Sequence, residues 1–235
     1  MGTRTVGSRL TPHAAIGRPA GVIPGSLGIF GGTFDPIHVG HLAIAEDARE
    51  QLGLERVLFV PAMIAPLRPE LPLASPDDRV RMVELAVAGN PFFGVDPIEL
   101  QRPGPSFTVD TLELVTARER AAGREPDLWF ILSAEQFLRL PQWKSPDRVL
   151  QLCRLAVVPR SGAAMPDRAW VESRFPGRAD RVTFLDGPLL AVSGTSIRDR
   201  FRAGRSVRYL VPEAVISYIE DHGLYRPPNL RTPPT

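Results

Sequence analysis

The chain has 235 residues, of which 43% are hydrophobic and 23% charged, a composition that suits one sizeable globular core and leaves little room for a second full domain. Its formal net charge of +2 is too small to argue for a nucleic-acid partner, and no apolar run approaches the roughly 18 residues that would span a bilayer. The single cysteine, Cys153, excludes an internal disulfide and a cysteine-based zinc cluster, and we expect a cytoplasmic protein without a membrane partner.

The N-terminal part precedes the predicted elements. Residues 1–25 contain Arg, Pro, Gly and Ser but no continuous hydrophobic stretch, which argues against a secretory signal and predicts a disordered leader. Residues 26–226 are predicted to form a single domain, and residues 227–235 a tail.

Short apolar runs alternate with helical patterns along this domain. Buried strands are predicted at 27–30, 57–60, 92–95, 128–132, 155–158 and 182–185. Helices are predicted at 39–52, from a Ser75 cap to about residue 88, at 108–122, 134–138, 146–152, 194–203 and 212–222. Residues between 158 and 182 are read as a variable, Arg-rich stretch. This order predicts an α/β fold, a doubly wound parallel sheet of Rossmann-like type with a helical C-terminal part.

In such a sheet, ligands bind beyond the carboxyl ends of the strands. The loops 31–41, 62–74, 101–108 and 133–135 should therefore lie on one rim. In the first loop, Gly31 and Gly32 let backbone N–H groups face an anion, and Thr33 adds a hydroxyl. His38 and His41 share one helix face near a helix N-terminus, so both can point at one phosphate chain. A structural metal held by these two histidines is the minor alternative.

Two segments of the chain resemble the motifs of one known superfamily. The run Gly-Gly-Thr-Phe-Asp-Pro-Ile-His-Val-Gly-His at 31–41 resembles the signature of the HxGH nucleotidyltransferases and is most similar to that of bacterial nicotinate-nucleotide adenylyltransferases. The run Val-Ser-Gly-Thr-Ser-Ile-Arg at 192–198 resembles their second motif, Ile-Ser-Ser-Thr-x-Ile-Arg. Small hydroxyl residues that open a helix, with an arginine one turn later, are the parts of an anion site.

Weaker matches at 60–68, 104–112 and 133–143 separate this family from its relatives. Several residues depart from the pattern, and Ala65 stands for the first of two paired prolines. Leu67 stands where His is usual, Ser133 replaces Gly, and Gly194 replaces Ser and loses a hydroxyl. Glu135 replaces the Asp that is expected to hold ribose hydroxyls.

The resemblance implies adenylyl transfer from ATP to nicotinate mononucleotide, which yields deamido-NAD and pyrophosphate in NAD biosynthesis. Magnesium is expected to bind together with ATP, through phosphate oxygens and water rather than through a set of protein ligands. Asp35 is instead expected to fix the loop. A homo-oligomer is compatible with the sequence. The implied catalytic residues are His38, His41 and Arg198. ATP is assigned to Gly31, Gly32, Thr33, Phe34, Glu135, Ser193 and Thr195, and the acceptor to Phe107, Thr108 and Trp143.

Several alternatives stay open at this point. Phosphopantetheine adenylyltransferases and cytidylyltransferases share the first motif, and a non-catalytic nucleotide sensor could use the same fold. Trp143 could be ordinary core packing, and Ser193 and Thr195 could be plain helix caps.

Overall fold

The computed structural model describes residues 21–67, 70–160 and 162–226, and a six-stranded parallel sheet forms its centre. The strands are β1 (Ile23–Gly32), β2 (Leu54–Pro61), β3 (Phe93–Val95), β4 (Asp127–Ser133), β5 (Arg154–Val158) and β6 (Val182–Phe184). Their order in the sheet is β3-β2-β1-β4-β5-β6, and every neighbouring pair is parallel. The order reverses between β1 and β4, and in sheets of this type ligands bind beyond the carboxyl ends of the strands at such a reversal. The predicted doubly wound α/β fold is confirmed.

Eight α-helices accompany the strands in the described residues. They are α1 (Val39–Leu52), α2 (Pro76–Val87), α3 (Thr108–Ala121), α4 (Ala134–Leu138), α5 (Pro146–Leu152), α6 (Arg168–Arg174), α7 (Gly194–Arg202) and α8 (Glu213–Asp221). None of them combines the length and apolar character needed to cross a bilayer.

Two apolar layers sandwich the sheet. The helices α1, α2, α7 and α8 contribute to one buried cluster, and α3, α4, α5 and α6 contribute to the other. The sequence of β2 is continuously apolar because both faces of the strand are buried. Val57 and Phe59 face the first layer, and Leu58 and Val60 face the second.

Two boundaries differ from the sequence-based prediction. Strand β1 begins at Ile23, not at residue 27, because its first residues pair through the backbone, with Ile23 N–H donating to Gly53 O at 2.8 Å. Residues 23–25, which the prediction included in the leader, thus belong to this strand. The sequence-based prediction missed them because Pro and Gly are uncommon inside strands. Residues 1–20 and 227–235 lie outside the described residues, so the division into leader, domain and tail stays a prediction.

The Arg-rich stretch contains a helix that the sequence reading missed. Helix α6 follows Asp167, whose carboxylate accepts the Trp170 N–H at 2.8 Å. The Asp cap is the local signal that was available, and Val171 anchors this short helix in the second layer.

Candidate active site

Residues 31–41, called the 31–41 loop here, comprise the end of β1, the connection that follows it and the first residues of α1, and they lie at the carboxyl edge of the sheet. Phe34 adopts a left-handed backbone conformation (φ 49°) and buries its ring against Phe30 and His41, at centroid distances of 5.9 and 5.1 Å. A Cβ on Gly32 would lie 2.9 Å from this ring, so only glycine fits there. The buried Phe34 ring therefore fixes the path of the loop backbone, and the two glycines keep that backbone accessible.

His38 and His41 come together as the sequence predicted. Their rings stack at a centroid distance of 3.7 Å with 22° between the planes. His38 is the N-cap residue of α1 and is only 6% exposed. Burial, with a smaller contribution from the charge of Arg160, lowers the pKa of His38 to about 4. His38 is therefore neutral at pH 7.

His41 is held in one tautomer by its neighbour. The backbone N–H of His38 donates to His41 Nδ1 at 3.2 Å. A nitrogen that accepts a hydrogen bond carries no proton, so neutral His41 carries its proton on Nε2. This tautomer makes Nε2 a hydrogen-bond donor, which is what a phosphate oxygen requires.

The carboxylate of Asp35 is buried and occupied by three donors. It accepts the N–H groups of Leu73 at 2.9 Å and Ala74 at 3.1 Å, and the hydroxyl of Tyr225 at 2.7 Å. These partners come from the loop before α2 and from the C-terminal end of the described chain. Asp35 therefore fixes the loop.

Arg198 joins the two motif segments. Its guanidinium donates to the backbone oxygen of Asp35 at 2.6 Å and to Thr195 Oγ1 at 3.2 Å. Ser193 caps α7 by accepting the Ser196 N–H at 3.1 Å. The capping interpretation of Ser193 thus applies, and the N-terminus of α7 lies against the 31–41 loop.

The sequence-based interpretation of Gly194 was incomplete, because it considered only the missing hydroxyl and not the space that a side chain would need. A Cβ at this position would lie 2.8 Å from the backbone oxygen of Asp35 and 3.2 Å from an Arg198 nitrogen. The absence of a side chain lets α7 approach the loop closely. The glycine is a packing requirement of this contact.

Sequence reasoning missed Arg79, a buried arginine on α2. It is 1% exposed, and one guanidinium nitrogen donates to Thr33 O at 2.8 Å and to Ala62 O at 2.7 Å. Burial lowers its pKa. The available signal was its position on the apolar face of α2 that carries Met82 and Val83. Arg79 ties the 31–41 loop to the loop after β2.

Sequence reasoning also missed Arg160, which follows β5. Its Nε lies 3.4 Å from a carboxylate oxygen of Glu135, and both side chains are about half exposed. Glu135 lies in the first turn of α4, directly after β4. The structure therefore places Glu135 on the predicted rim, with a cation beside it whose charge reaches His38.

The predicted acceptor residues lie around the start of α3. Phe107 is the N-cap residue and Thr108 the first residue of this helix. Phe107 and Trp143 both pack on the second apolar layer, and Trp143 meets Phe130 edge to face at 5.8 Å. Trp143 is partly buried, so it packs on the core and keeps an accessible part. Ser106 links this region to the loop after β2 through its contacts with Met63 and Ile64.

Comparison with known proteins gives a consistent result. The family model described as cytidylyltransferase-like matches residues 29–200. A probable nicotinate-nucleotide adenylyltransferase of Roseiflexus sp. (strain RS-1) is 48% identical over 200 residues, which cover 85% of this chain and 98% of the relative. One from Moorella thermoacetica is 41% identical, with 87% and 93% covered.

Solved structures show the same fold. The Plasmodium falciparum nicotinic acid mononucleotide adenylyltransferase complexed with NaAD gives a TM-score of 0.69 at 15% identity and covers 85% of this chain and 97% of its own. A putative nicotinate-nucleotide adenylyltransferase from Vibrio parahaemolyticus gives a TM-score of 0.58 at 16% identity, with 85% and 94% covered. At these identities the likeness concerns the fold.

Proposed function

The chain belongs to the nicotinate-nucleotide adenylyltransferase family, and we propose that the edge of the sheet around the 31–41 loop is its active site. It transfers the adenylyl group of ATP to nicotinate mononucleotide, with deamido-NAD and pyrophosphate as products, in NAD biosynthesis. The observation that carries the assignment of the site is the contact of Arg198 with the backbone of Asp35, which joins the two motif segments into one surface.

The reaction places few chemical demands on the protein. The phosphate of nicotinate mononucleotide is already an anion near pH 7, so it can attack the α-phosphorus of ATP without a general base. The new phosphorus–oxygen bond forms as the bond to pyrophosphate breaks. The protein must then hold the two substrates in line and neutralise the charge that develops.

His41 and His38 are assigned to the triphosphate. His41 Nε2–H is the donor nearest the transferred phosphorus, and its tautomer is set by the His38 backbone. Neutral His38 supports His41 by ring stacking. The N–H groups from Gly31 to Phe34, with the Thr33 hydroxyl, take the α and β groups, since backbone amides suit phosphate oxygens.

Arg198, Ser193 and Thr195 are assigned to the leaving pyrophosphate. The guanidinium of Arg198 is oriented by its hydrogen bonds to the Asp35 backbone oxygen and to Thr195 Oγ1. The nearest carboxylate oxygen, of Asp35, lies 3.7 Å away. A guanidinium that is already oriented loses little freedom when it binds an anion. Glu135 is assigned to the ribose hydroxyls of ATP.

The acceptor is assigned to the start of α3. The Trp143 ring stacks on the pyridine, and the amides of Phe107 and Thr108 hold its carboxylate at the positive end of the helix. A neutral carboxamide gains less from the same dipoles. The acid form is therefore the preferred substrate.

Magnesium is proposed as the partner of ATP. The described residues contain no group of three or more His, Cys, Asp or Glu side chains that could hold a metal ion. The ion would therefore be held mainly by phosphate oxygens and water, where it neutralises phosphate charge. A cytoplasmic location and self-association into a homo-oligomer are further parts of the proposal.

The test is pyrophosphate release from ATP and magnesium with nicotinate mononucleotide and nicotinamide mononucleotide compared side by side. We expect fast release with the acid and slow release with the amide. If ATP binds but no pyrophosphate is released with either acceptor, the assigned reaction is contradicted. A phosphopantetheine adenylyltransferase or a nucleotide sensor would then be the remaining candidates.

A further inference from the structure

The start of α3 carries a negative charge that works against the proposed acceptor. Asp110 is in the first turn of this helix, two residues after Thr108. A carboxylate there stabilises the helix, but it also repels an anion held by the first amides. A site that prefers a pyridine carboxylate therefore has to offset Asp110.

Lys144 provides that offset. Its Nζ lies 2.8 and 3.0 Å from the two carboxylate oxygens of Asp110 and 4.9 Å from the centroid of the Phe107 ring. It is thus held between the N-cap ring and the first-turn carboxylate of α3. Lys144 is also the only lysine of the chain, and it directly follows Trp143.

A second cation, Arg102, also lies near Asp110. An Arg102 nitrogen lies 3.6 Å from its carboxylate, and another donates to Thr111 Oγ1 at 3.1 Å. Thr111 in turn donates to the buried carboxylate of Glu99 at 2.7 Å. Arg102 therefore reaches Asp110 only at the longer distance and makes its shorter contact with Thr111, whereas Lys144 makes two short contacts with the Asp110 carboxylate.

We propose that Lys144 is a specificity-determining residue for the acid over the amide. By cancelling the charge of Asp110, it lets the Phe107 and Thr108 amides attract a substrate carboxylate at full strength. The effect falls on the charged acceptor, because a neutral carboxamide is little affected by the charge of Asp110. This inference rests on the proposed acceptor site and adds a side-chain determinant to it.

The test compares kcat/KM for nicotinate mononucleotide and for nicotinamide mononucleotide in variants of the full chain. We expect Lys144→Met to lower the acid-to-amide ratio about tenfold, mainly through a higher KM for the acid, since Asp110 then keeps only its longer contact with Arg102 and repels a nearby anion more strongly. Lys144→Arg keeps the charge and should keep most of the preference. Adding Asp110→Asn to Lys144→Met should restore the ratio, because the repelling charge is then gone.

Arg148→Met is the matched control. Arg148 pairs with Glu113 at 3.0 Å, so this variant also breaks a half-exposed ion pair on α3, but one turn further from its N-terminus. Its acid-to-amide ratio should stay at the wild-type value.

Two results would overturn the proposal and can be told apart. An unchanged ratio in Lys144→Met, with the wild-type preference for the acid intact, removes the role of Lys144 alone. A wild-type chain that uses both acceptors equally well removes the carboxylate site itself, and the role of Lys144 with it.

Discussion

The hydroxyl of Tyr225 donates a 2.7 Å hydrogen bond to Asp35 Oδ1, although the two residues are 190 positions apart. Burial and the charge of Asp35 raise the pKa of Tyr225, so the phenol keeps its proton and remains a donor. The end of the described chain thus fastens the loop that carries His38 and His41. The proposed ATP site therefore depends on a contact made at the far end of the sequence.

Tyr225→Phe should loosen this loop. The variant keeps the buried ring but leaves Asp35 Oδ1 without one of its donors, which should lower the free energy of unfolding by about 1–3 kcal/mol. We also expect a higher KM for ATP. Urea unfolding and steady-state kinetics measure the two effects. The control is Tyr209→Phe, since Tyr209 is 89% exposed, and equal stability of the two variants would contradict the role of Tyr225.

Gly194→Ala should separate α7 from the loop. The new Cβ would lie 2.8 Å from the backbone oxygen of Asp35, so the helix must shift and carry Arg198 with it. Overpacking of this kind costs about 1–3 kcal/mol of unfolding free energy, and turnover should fall with it. At Gly89 an added Cβ would meet nothing within 4 Å, so Gly89→Ala serves as the control. If Gly194→Ala matched that control in stability and turnover, the close approach would not matter.

Acid should destabilise the fold through His38. Its pKa is lowered from 6.5 to about 4 in the folded chain, so neither state holds the proton above pH 6.5. Below that value His38 is protonated in the unfolded chain but not in the folded chain, so the free energy of unfolding falls as the pH is lowered to about 4. The loss from this residue is about 3 kcal/mol.

Unfolding free energies of the wild type and of His38→Asn at pH 7 and pH 4 measure this contribution. Other acidic groups titrate in both proteins, so the difference between the two pH dependences isolates His38. We expect the smaller loss in His38→Asn. Parallel curves for the two proteins would show that burial does not suppress protonation of His38.

The strands and the two motif segments, 31–41 and 192–198, could be recognised because their signals are local. Buried parallel strands give continuous apolar runs such as 57–60, and glycines after a strand mark a place where a ligand approaches the backbone. The proximity of His38 and His41 followed from their spacing on one helix.

The supporting contacts could not be predicted in the same way. Tyr225 and Arg79 reach the 31–41 loop only through the packing of helices and chain ends from other parts of the sequence. The close approach at Gly194 is likewise a property of two segments that meet in space. Helix α6 was missed for a different reason, because only Val171 of this short helix is fully buried and its apolar pattern is weak.

The most direct test of the proposed site is the turnover of His41→Ala with ATP, magnesium and nicotinate mononucleotide. Removal of the Nε2–H donor should lower kcat by about 100-fold or more, while the variant still folds and unfolds cooperatively. His222→Ala, at an exposed position after α8, should retain wild-type turnover. A folded His41→Ala protein with unchanged turnover would remove His41 from the mechanism and contradict the assignment of the rim as the site of adenylyl transfer.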